Sequence, residues 1–528
     1  MGQTTQGPRS VALVDAAAAR AGDEAAVANG ATWDGLMDRA AQALARAVLE
    51  SAGYGYGLRV VVVVGSGNNG GDGWAAAPLL ARRGAHVTVL TLAPLDADLS
   101  DEAAAHRAAW LAAGGRTRRP DADVSATLSG AQVVVDCMLG TGASGAPRGS
   151  MADAVRAINA RAAEGAVVVS CDMPTGVDAD TGTVHDPAVA ADVTVTMGAR
   201  KRGLVLAPGC WHAGDVVVGD LGQEYPTDGD WRALTAAGAA PAPSSPDADK
   251  VAHGRVMVIA GSVGTGGAAI LCTRAALSAG AGLVTLATPA HIQRVVAPMV
   301  PAAMTRRLPH VGEHVAAGGV EDLQDLDQFD AVVVGPGLGP VDGTRAIVDH
   351  VLARAGRVVL DADAINVFRD DPAAITEHVG SLVLTPHQRE LARLGGGDDG
   401  PDAWANRVAR VPELAARYRA TIVAKGPATL VAAPDGRVWV TPLGGPELGT
   451  GGTGDTLAGM VGAAISATDD VPSAVAGAVW RHAFAGHWIA NQRGLHRVGA
   501  EELGERLADA DGALAELAAT RPSWPFEG

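Results

Sequence analysis

The sequence predicts an α/β protein built from two three-layer α/β/α domains, and three observations lead to that class. Short apolar runs without polar interruption alternate with helix-like segments, which is typical of parallel strands buried on both faces. The chain of 528 residues is long enough for two to four domains. Its composition is 48% hydrophobic but only 3% aromatic, with 69 glycines, which favours layers packed by small aliphatic side chains over a β-sandwich.

The first predicted domain, residues 1–235, begins its sheet with a β-α-β unit. Strands are predicted at 59–64 and 85–92, with a helix over 74–84 between them. Two further apolar runs, at 132–136 and 166–172, continue the same sheet. Because each run is apolar throughout, we expect the strands to be parallel and covered on both faces.

A proline-rich segment without periodicity, residues 236–249, is predicted to be a linker. The second domain, residues 250–528, then repeats the pattern of the first. Its predicted strands lie at 255–261, 283–288, 331–337, 357–363, 381–386 and 421–426, and a helix is predicted over 267–279. A hairpin turning at Pro434, Asp435 and Gly436 follows, and helices cover 455–491 with a break near residues 470–472.

Polar side chains follow the predicted strands at the ends where parallel α/β sheets bind ligands. These residues are Asp136, Asp172, Asp361, His387 and Lys425. A single residue of this kind often caps a helix or a turn, but five at corresponding positions indicate that these sheet edges carry functional sites. Lysine is rare, since Lys201, Lys250 and Lys425 are the only lysines among 41 basic residues. A general drift from Lys to Arg explains the scarcity, whereas a need for a compact ammonium group explains the survivors.

The charge and the cysteines exclude several classes of protein. A formal net charge of −17 argues against nonspecific binding to nucleic acid or to an anionic membrane. The four cysteines have no CxxC spacing, and the chain shows neither a signal-peptide pattern nor an apolar run of about 18 residues. We therefore expect a cytoplasmic protein whose partners are small molecules.

Two glycine-dense loops, at 65–73 and 449–459, are predicted to bind nucleotides. The GxGxxG pattern alone is weak, because it also occurs at 140–145. No acidic residue closes the second strand, so a hydride-transferring dinucleotide fold is only an alternative, and the absence of GK[ST] excludes a Walker-type loop.

Four ordered motifs give the first domain its resemblance to a known family. They are GSGNNGGDG at 65–73, VDCMLGTGASG at 135–145, CDMPTGVDADTG at 171–182 and VTMGARKRG at 195–203. The domain resembles the NAD(P)H-hydrate epimerases, the YjeF N-terminal family, which have a Rossmann-like fold. These enzymes interconvert the R and S forms of NADH and NADPH that carry water across a double bond of the nicotinamide ring.

The resemblance implies a hydrate site and a K⁺ site in this domain. The hydrate-binding residues would be Asn68, Asn69, Gly70, Gly71, Asp72, Gly140, Thr141, Gly142, Ala143, Ser144, Gly145, Ala146 and Asp172. K⁺ would be held by Asn69, Asp136 and Thr175, oxygen ligands that suit a hard cation. Because epimerisation moves a proton, a carboxylate is needed, and Asp136 is the candidate. The alternative is that Asp136 only caps the following turn.

The second domain resembles the ADP- or ATP-dependent NAD(P)H-hydrate dehydratases, members of the ribokinase-like superfamily. The motifs are GGAAILCTRAALSAGAGLVTLAT at 266–288, VGPGLG at 334–339, DADAIN at 361–366, TPHQRE at 385–390, KGPAT at 425–429 and GTGGTGDTLAG at 449–459. In this family a nucleotide phosphorylates the ring hydroxyl of the S-hydrate, and elimination of phosphate restores the double bond.

The resemblance also implies the roles of residues in this domain. Asp455 would be the catalytic base and would contact the hydrate, at a helix start that stabilises a phosphoryl anion. The hydrate would also contact Ala268, Gly339 and His387. The adenine nucleotide would be held by Lys425, Gly426, Pro427, Ala428, Thr429 and Gly454. Mg²⁺ is expected because phosphoryl transfer usually needs a metal.

The sequence thus predicts a bifunctional repair enzyme for NADHX and NADPHX, the hydrated forms of NADH and NADPH, with ADP or ATP as co-substrate. A homo-oligomer is expected, although apolar patterns do not reveal its interface. The alternative is a ribokinase-like small-molecule kinase fused to a YjeF-like domain that binds without catalysis.

Overall fold

The computed structural model describes residues 9–526 except 95–96, 120–122, 223–224, 226–229, 242–244, 246, 248, 396–402 and 495. By their contacts, the described residues of Met1–Val11 and Arg232–Pro525 form one compact unit, the C-terminal unit. Ala12–Trp231 and the residue Phe526 form the other, the N-terminal unit. No helix in the described ranges is both long and apolar enough to span a membrane.

The strands of both units are numbered along the chain. They are β1 (Ser10–Ala12), β2 (Arg59–Val64), β3 (His86–Thr91), β4 (Arg116–Arg118), β5 (Val133–Cys137), β6 (Val167–Cys171), β7 (Val193–Met197), β8 (Asp215–Gly219), β9 (Trp231–Leu234), β10 (Arg255–Ile259), β11 (Leu283–Pro289), β12 (Met304–Leu308), β13 (His310–Val311), β14 (His314–Val315), β15 (Ala331–Val334), β16 (Arg357–Leu360), β17 (Ser381–Leu384), β18 (Ala420–Ala424), β19 (Thr429–Ala432) and β20 (Val438–Thr441).

The α-helices cover most of the segments between the strands. They are α1 (Ala16–Ala28), α2 (Trp33–Ala52), α3 (Asn68–Arg82), α4 (Asp101–Ala112), α5 (Val124–Leu128), α6 (Ser150–Ala163), α7 (Cys210–Ala213), α8 (Ala236–Ala239), α9 (Gly266–Ser278), α10 (Ala290–Val296), α11 (Asp342–Arg354), α12 (Asp363–Asn366), α13 (Gln388–Arg393), α14 (Ala403–Tyr418), α15 (Thr453–Ser466), α16 (Val471–Arg493), α17 (Ala500–Glu505) and α18 (Leu507–Thr520). Short 3₁₀ helices lie at Arg202–Leu204, Ala297–Met299, Ala317–Leu323, Leu326–Gln328, Pro372–Thr376 and Pro446–Leu448.

The N-terminal unit contains a seven-stranded parallel sheet in the order β4-β3-β2-β5-β6-β7-β8. Strands β3 and β4 lie on one side of β2, and β5 to β8 follow on the other side. The order therefore reverses between β2 and β5, which is where a parallel α/β sheet opens a crevice for ligands. The loops that follow these two strands are the predicted hydrate loops.

Strand β2 shows why the sheet is covered on both faces. Val60, Val62 and Val64 pack into one apolar cluster, whereas Val61 and Val63 pack into a second. Because successive side chains of a strand point to opposite faces, a continuous valine run requires a helical layer on each side. The predicted three-layer class is confirmed.

The C-terminal unit contains an eleven-stranded sheet in the order β1-β9-β20-β19-β18-β17-β16-β15-β10-β11-β12. Strands β10 to β12 and β15 to β18 are parallel. The predicted hairpin adds β19 antiparallel to β18, and β20 antiparallel to β19. The strand order reverses between β10 and β15. The short strands β1 and β9 at one edge were not predicted from the sequence.

Part of the segment predicted as a linker has regular structure. Helix α8 buries Ala236 and Ala239 against Trp480 and Phe484 of α16. Since the helix is rich in alanine, its sequence lacks the large apolar residues that signal a buried face. Residues 242–244, 246 and 248 of the predicted linker lie outside the described residues.

Candidate active sites

The first glycine-dense loop passes from β2 into α3 at the point where the strand order reverses. Gly65 lies against the carbonyl group of Met138, and Gly70 lies against that of Gly65, so a Cβ atom at either position would clash with backbone. Helix α3 begins at Asn68 without a side-chain cap on Gly67. The glycines therefore bring the start of α3 against the loop that follows β5.

Asp172 follows β6 and receives hydrogen bonds on both carboxylate oxygens. Lys201 Nζ donates to Oδ1 over 2.7 Å, and the Thr141 N–H donates to Oδ2 over 2.9 Å. The Thr141 hydroxyl also donates to Oδ2. The backbone of Asp172 is left-handed, with φ at 64°, which is uncommon for a residue with a side chain.

Lys201 keeps Asp172 ionised. Burial by itself would raise the pKa of Asp172, but the charge and hydrogen bond of Lys201, together with the hydrogen bonds from Thr141, outweigh it, and the pKa is lowered. Their side chains are 2% and 11% exposed. The N-terminal site therefore holds a carboxylate that is charged near neutral pH.

Asp72, one turn into α3, has its pKa shifted in the opposite direction. Its burial, followed by the negative charge of Asp172, raises the pKa of Asp72 well above its ordinary value. The site thus combines one carboxyl group with a lowered pKa and one with a raised pKa, a pairing that suits acid–base catalysis.

Asp136 ends β5 and is completely buried. Its two oxygens accept hydrogen bonds from the Thr175 N–H at 2.8 Å, the Thr175 hydroxyl at 2.7 Å, the Ser170 hydroxyl at 3.1 Å and the Met138 N–H at 3.2 Å. Burial raises the pKa of Asp136 against the lowering effect of these bonds. The structure thus shows Asp136 joining the loops after β5 and β6.

Asn69 is a polar side chain enclosed without a bonding partner. Both its amide oxygen and its amide nitrogen are shielded from solvent, and neither makes a hydrogen bond within the described ranges. A Cβ atom at Gly140 would lie 3.2 Å from Asn69 Cγ and 3.0 Å from Asp172 Oδ2, so the glycine leaves space beside both. An enclosed amide oxygen without a donor is a suitable ligand for a cation.

The loop after β5 extends from this centre towards solvent. Leu139, Gly140, Ala143 and Gly145 line a cavity together with residues of the 174–178 segment and His185. A cleft of about 540 Å³ shares His185 with this cavity and is lined by residues of α6 and the 184–188 segment. The predicted contacts Gly142, Ser144 and Ala146 are exposed on the same loop, whereas Gly71 is buried against Met37 and Ala103.

The C-terminal site is centred on a buried ion pair. Lys425 Nζ donates to Asp361 Oδ1 over 2.8 Å, and the Thr385 hydroxyl donates to the same oxygen over 2.6 Å. These residues follow the adjacent strands β18, β16 and β17. A Cβ atom at Gly454 would lie 3.5 Å from Lys425 Nζ, so the second glycine-dense loop lies beside the ion pair.

Asp455 stands in the first turn of α15. Burial raises its pKa to about 6, and the charge of Asp361 adds to this increase while Lys425 opposes it. A carboxylate with a pKa near 6 is a stronger base than an ordinary aspartate and still loses its proton at neutral pH. The predicted base is therefore placed where its basicity is increased.

His387 precedes α13 and caps it. Its Nδ1 atom accepts from the N–H groups of Arg389 and Glu390 at 3.1 and 3.4 Å, and Glu390 accepts from the His387 N–H at 2.9 Å. Because Nδ1 is the acceptor, the proton of the neutral ring is on Nε2. The ring is half-exposed, so capping leaves one side of it accessible.

Glu390 is a buried carboxyl group that the sequence predictions missed. Burial raises its pKa to about 7, and Lys425 limits the increase. The H-x-x-E spacing of His387 and Glu390 is a capping-box pattern. The sequence therefore contained a signal that Glu390 has a structural role at the start of a helix. Its proximity to the ion pair is visible only in the tertiary structure.

The segment 425–429 adopts backbone conformations that few residues tolerate. Gly426 and Ala428 have φ values of 147° and 51°. The buried guanidinium of Arg407 on α14 donates to the carbonyl groups of Ala424 and Pro427, at 2.6 and 3.4 Å. Burial lowers the pKa of Arg407 to about 10. Arg407, also missed, therefore holds the predicted nucleotide loop in place.

The predicted hydrate contacts Ala268 and Gly339 belong to neighbouring loops. A Cβ atom at Gly337 would lie 3.1 Å from Ala268 Cβ, which brings the loop after β15 against the start of α9. The Gly339 N–H donates to Asp363 Oδ2 over 2.8 Å. These loops flank β10 and β15, where the strand order reverses.

Family comparisons match both halves of the chain. Residues 34–203 match the YjeF-related protein N-terminus family, and residues 256–508 match the NAD(P)H-hydrate dehydratase family. A protein of Gloeobacter violaceus named as a bifunctional NAD(P)H-hydrate repair enzyme is 34% identical over 97% of this chain and 98% of its own length. The chain belongs to the family of bifunctional NAD(P)H-hydrate repair enzymes.

The chain is also similar to another relative named as a repair enzyme and to a solved dehydratase structure. The Moorella thermoacetica member is 35% identical over 84% of this chain and 86% of its own length. The crystal structure of the Bacillus subtilis ADP/ATP-dependent NAD(P)H-hydrate dehydratase with ATP and Mg²⁺ is 27% identical and covers 53% of this chain and 97% of its own, with a TM-score of 0.46. The two family models together cover both halves of the chain, and the matches to full-length relatives do not support the alternative of a kinase fused to a binding domain.

Proposed function

We propose that the N-terminal site interconverts the R and S epimers of NADHX and NADPHX, and that the C-terminal site dehydrates the S epimer using ADP or ATP. The observation that carries the proposal is a lysine–aspartate pair at the strand ends of each unit, beside a second carboxyl group with a raised pKa. We further propose that the enzyme is a cytoplasmic homo-oligomer.

For epimerisation, we propose that Asp172 takes the proton and that Asp72 supplies one. The sequence assigned the proton transfer to Asp136, but Asp136 is completely buried, whereas the side chain of Asp172 is 11% exposed and borders the space beside Gly140. Asp136 would then hold Thr175 and the cation. The enclosed amide of Asn69 and the oxygens of Asp136 and Thr175 fit K⁺, which supplies positive charge next to the reacting centre.

For dehydration, we propose that Asp455 accepts the proton of the ring hydroxyl while the phosphoryl group of the nucleotide is transferred to its oxygen. The bond between the ring carbon and this oxygen then breaks, so that phosphate leaves with the oxygen, and loss of a proton from the adjacent ring carbon restores the double bond. The first turn of α15 directs backbone N–H groups at the transferred phosphoryl group. Lys425, Gly426, Pro427, Ala428, Thr429 and Gly454 would hold the nucleotide, and Ala268, Gly339 and His387 the hydrate.

The C-terminal site also fits Mg²⁺. Asp361, Glu390 and Asp455 all interact with Lys425, so carboxyl groups outnumber the ammonium group at this centre. In the described part of the chain no three acidic, histidine or cysteine side chains form a ready metal cage, which agrees with the preference of Mg²⁺ for one or two carboxylates plus phosphate and water. When bound, the metal neutralises charge on the transferred phosphoryl group.

The proposal is tested with a mixture of R- and S-NADHX, Mg²⁺, K⁺ and ADP, following the absorbance of reduced nicotinamide. The expected result is recovery of both epimers. Recovery of the S fraction alone would contradict the epimerase function, and no recovery with either ADP or ATP would contradict the dehydratase function.

The K⁺ requirement should depend on Asn69. In the variant Asn69→Ala, we expect the K⁺ concentration for half-maximal epimerisation to rise about tenfold or more, because a cation ligand is lost. Epimerisation of R-NADHX is measured across a K⁺ series at constant ionic strength. The matched variant Asn68→Ala removes an exposed amide at the neighbouring position and should keep the wild-type K⁺ dependence. Equal K⁺ dependence in both variants would remove Asn69 from the cation site.

The acid limit of dehydration should follow the ionisation of Asp455. Since only the carboxylate accepts a proton, kcat/KM for S-NADHX should fall as the pH decreases through about 6. In Asp361→Asn, the loss of a neighbouring negative charge should lower the pKa of Asp455 and move this fall to lower pH. Because Glu390 has a pKa of about 7, Glu390→Gln serves as the control and should leave the fall near pH 6. A fall that vanishes in Glu390→Gln would assign it to Glu390.

A further inference from the structure

Three histidines that the predicted site does not use lie at the same edge of the C-terminal sheet. His291 stands in the first turn of α10, after β11, and His310 and His314 belong to the hairpin β13–β14, after β12. We call these three residues the histidine cluster. The carboxyl ends of β11 and β12 continue the edge formed by β10, β15 and β16, where Ala268, Gly339 and Asp361 lie.

The histidine cluster contacts the predicted hydrate loop directly. His314 Nδ1 is 3.0 Å from the Leu338 carbonyl oxygen, and a Cβ atom at Gly339 would lie 2.5 Å from the same nitrogen. The rings of His291 and His310 are 4.2 Å apart. The hairpin is also joined to the loop after β10, because the Val263 N–H donates to the Glu313 carbonyl oxygen over 3.1 Å.

The hydrogen bonds determine which ring nitrogens remain available. His314 Nδ1 faces the Leu338 carbonyl, and His310 Nδ1 faces the Gly312 carbonyl at 3.2 Å. A carbonyl oxygen only accepts, so Nδ1 carries the hydrogen in both rings and Nε2, across the ring, carries the lone pair. Protonation at Nε2 gives such a ring a positive charge and a donor that is not used by the protein.

The order of the strands indicates which part of a substrate reaches these rings. Along the sheet, the predicted nucleotide loop follows β18, the acidic centre follows β16, Gly339 follows β15, and the histidine cluster follows β11 and β12. The nucleotide and the histidine cluster therefore lie on opposite sides of Gly339. A hydrate whose ring reaches Asp455 must extend its phosphate-bearing part away from the nucleotide.

We propose that the histidine cluster binds the phosphate groups of the hydrated dinucleotide during dehydration, an inference that rests on the proposed function. The carboxylates around Asp455 repel these phosphates, whereas imidazolium groups attract them. Burial and the neighbouring His310 lower the pKa of His291, and a phosphate bound beside the ring would oppose this shift, because a negative charge favours the charged form. The titratable neighbours of His291 are His310, His314 and Glu313, and the Glu313 side chain is exposed beside the rings.

The decisive variant is His314→Asn, assayed in the full-length enzyme with NADHX varied at saturating ADP. An asparagine amide can still donate to the Leu338 carbonyl from the Nδ1 position but has no counterpart of Nε2. We expect KM for the hydrate to rise about tenfold, with kcat and the KM for ADP within about twofold of wild type. His310→Ala, at an exposed position, should change KM in the same direction and serves if His314→Asn does not fold.

Two further measurements separate phosphate binding from a structural role. Inorganic pyrophosphate should compete with the hydrate in the wild-type enzyme, and it should inhibit His314→Asn less. Glu313→Gln removes a negative charge beside the rings and should lower KM for the hydrate. Wild-type KM and unchanged inhibition by pyrophosphate in His314→Asn would overturn the inference while the wild-type activity still supports the proposed function. An enzyme without dehydratase activity would overturn both.

Discussion

Dehydration is expected to fall by roughly 10²–10⁴-fold in the variant Asp455→Asn, while epimerisation stays at the wild-type rate. Asparagine has nearly the same shape as aspartate but cannot accept the proton of the ring hydroxyl. In the wild-type enzyme, burial and the charge of Asp361 make the Asp455 carboxylate a stronger base, and the variant loses this group. Single-turnover dehydration of S-NADHX with excess enzyme measures the chemical step, and epimerisation of R-NADHX in the same preparation measures the other site.

The matched control is Asp509→Asn, which removes an exposed carboxylate from α18 in the same unit. It should leave both activities unchanged. Loss of both activities in Asp455→Asn would indicate a folding defect or coupled sites, and retention of dehydration within about tenfold would remove Asp455 from the role of base.

The second large effect is expected for Lys201→Met, which should lower the free energy of unfolding by about 3–5 kcal/mol and abolish epimerisation. The variant leaves the carboxylate of Asp172 in a buried position without its positive partner. Burial then raises the pKa of Asp172 against the hydrogen bonds of Thr141 alone, so the protonated acid is favoured more strongly than in the wild type. The loss of stability should therefore be smaller at acid pH than at pH 7, because protonation removes the uncompensated charge. Chemical unfolding at both pH values measures this difference.

The double variant Lys201→Met, Asp172→Leu tests the cause. Because neither charge remains, part of the lost stability should return, whereas epimerisation should not. Lys250→Met removes an exposed lysine and should change neither property. If the double variant were no more stable than Lys201→Met alone, an uncompensated charge would not be the reason for the instability.

The sequence allowed the strands that carry both sites to be predicted, because a short continuous apolar run marks a strand buried on both faces without any tertiary information. The valine run of β2 lies where it was predicted, and so do β10, β11, β15, β16, β17 and β18, with ends that differ by up to three residues, whereas β12, β13 and β14 were not predicted. The short strands β1 and β9 were missed, since three or four residues give no measurable periodicity. Helix α8 was missed because a segment of alanine and glycine can form either a linker or a tightly packed helix, and its sequence does not distinguish the two.

The site residues likewise divide into those that the sequence located and those that it missed. Motif and strand position placed Asp136, Asp172, Asp361 and Lys425 at the sheet edges, and the structure brings each near a partner from another strand. Glu390 and Arg407 were missed, because each lies on a helix and interacts with a loop that is distant in the sequence. Asp172 could be located from the sequence, but its ionised state depends on Lys201, which lies 29 residues later and meets it only in the folded unit.

By itself the sequence determined the family, the two α/β units and the strand ends that carry the functional residues, because periodicity and motif spacing are local properties of the chain. The rarity of lysine even singled out Lys201 and Lys425. Only the tertiary structure decided which carboxyl groups are charged, which amide is left without a partner and which histidines meet beside Gly339. Protonation and ligand binding depend on burial and on neighbours within a few ångströms, and those neighbours come from separate strands and loops.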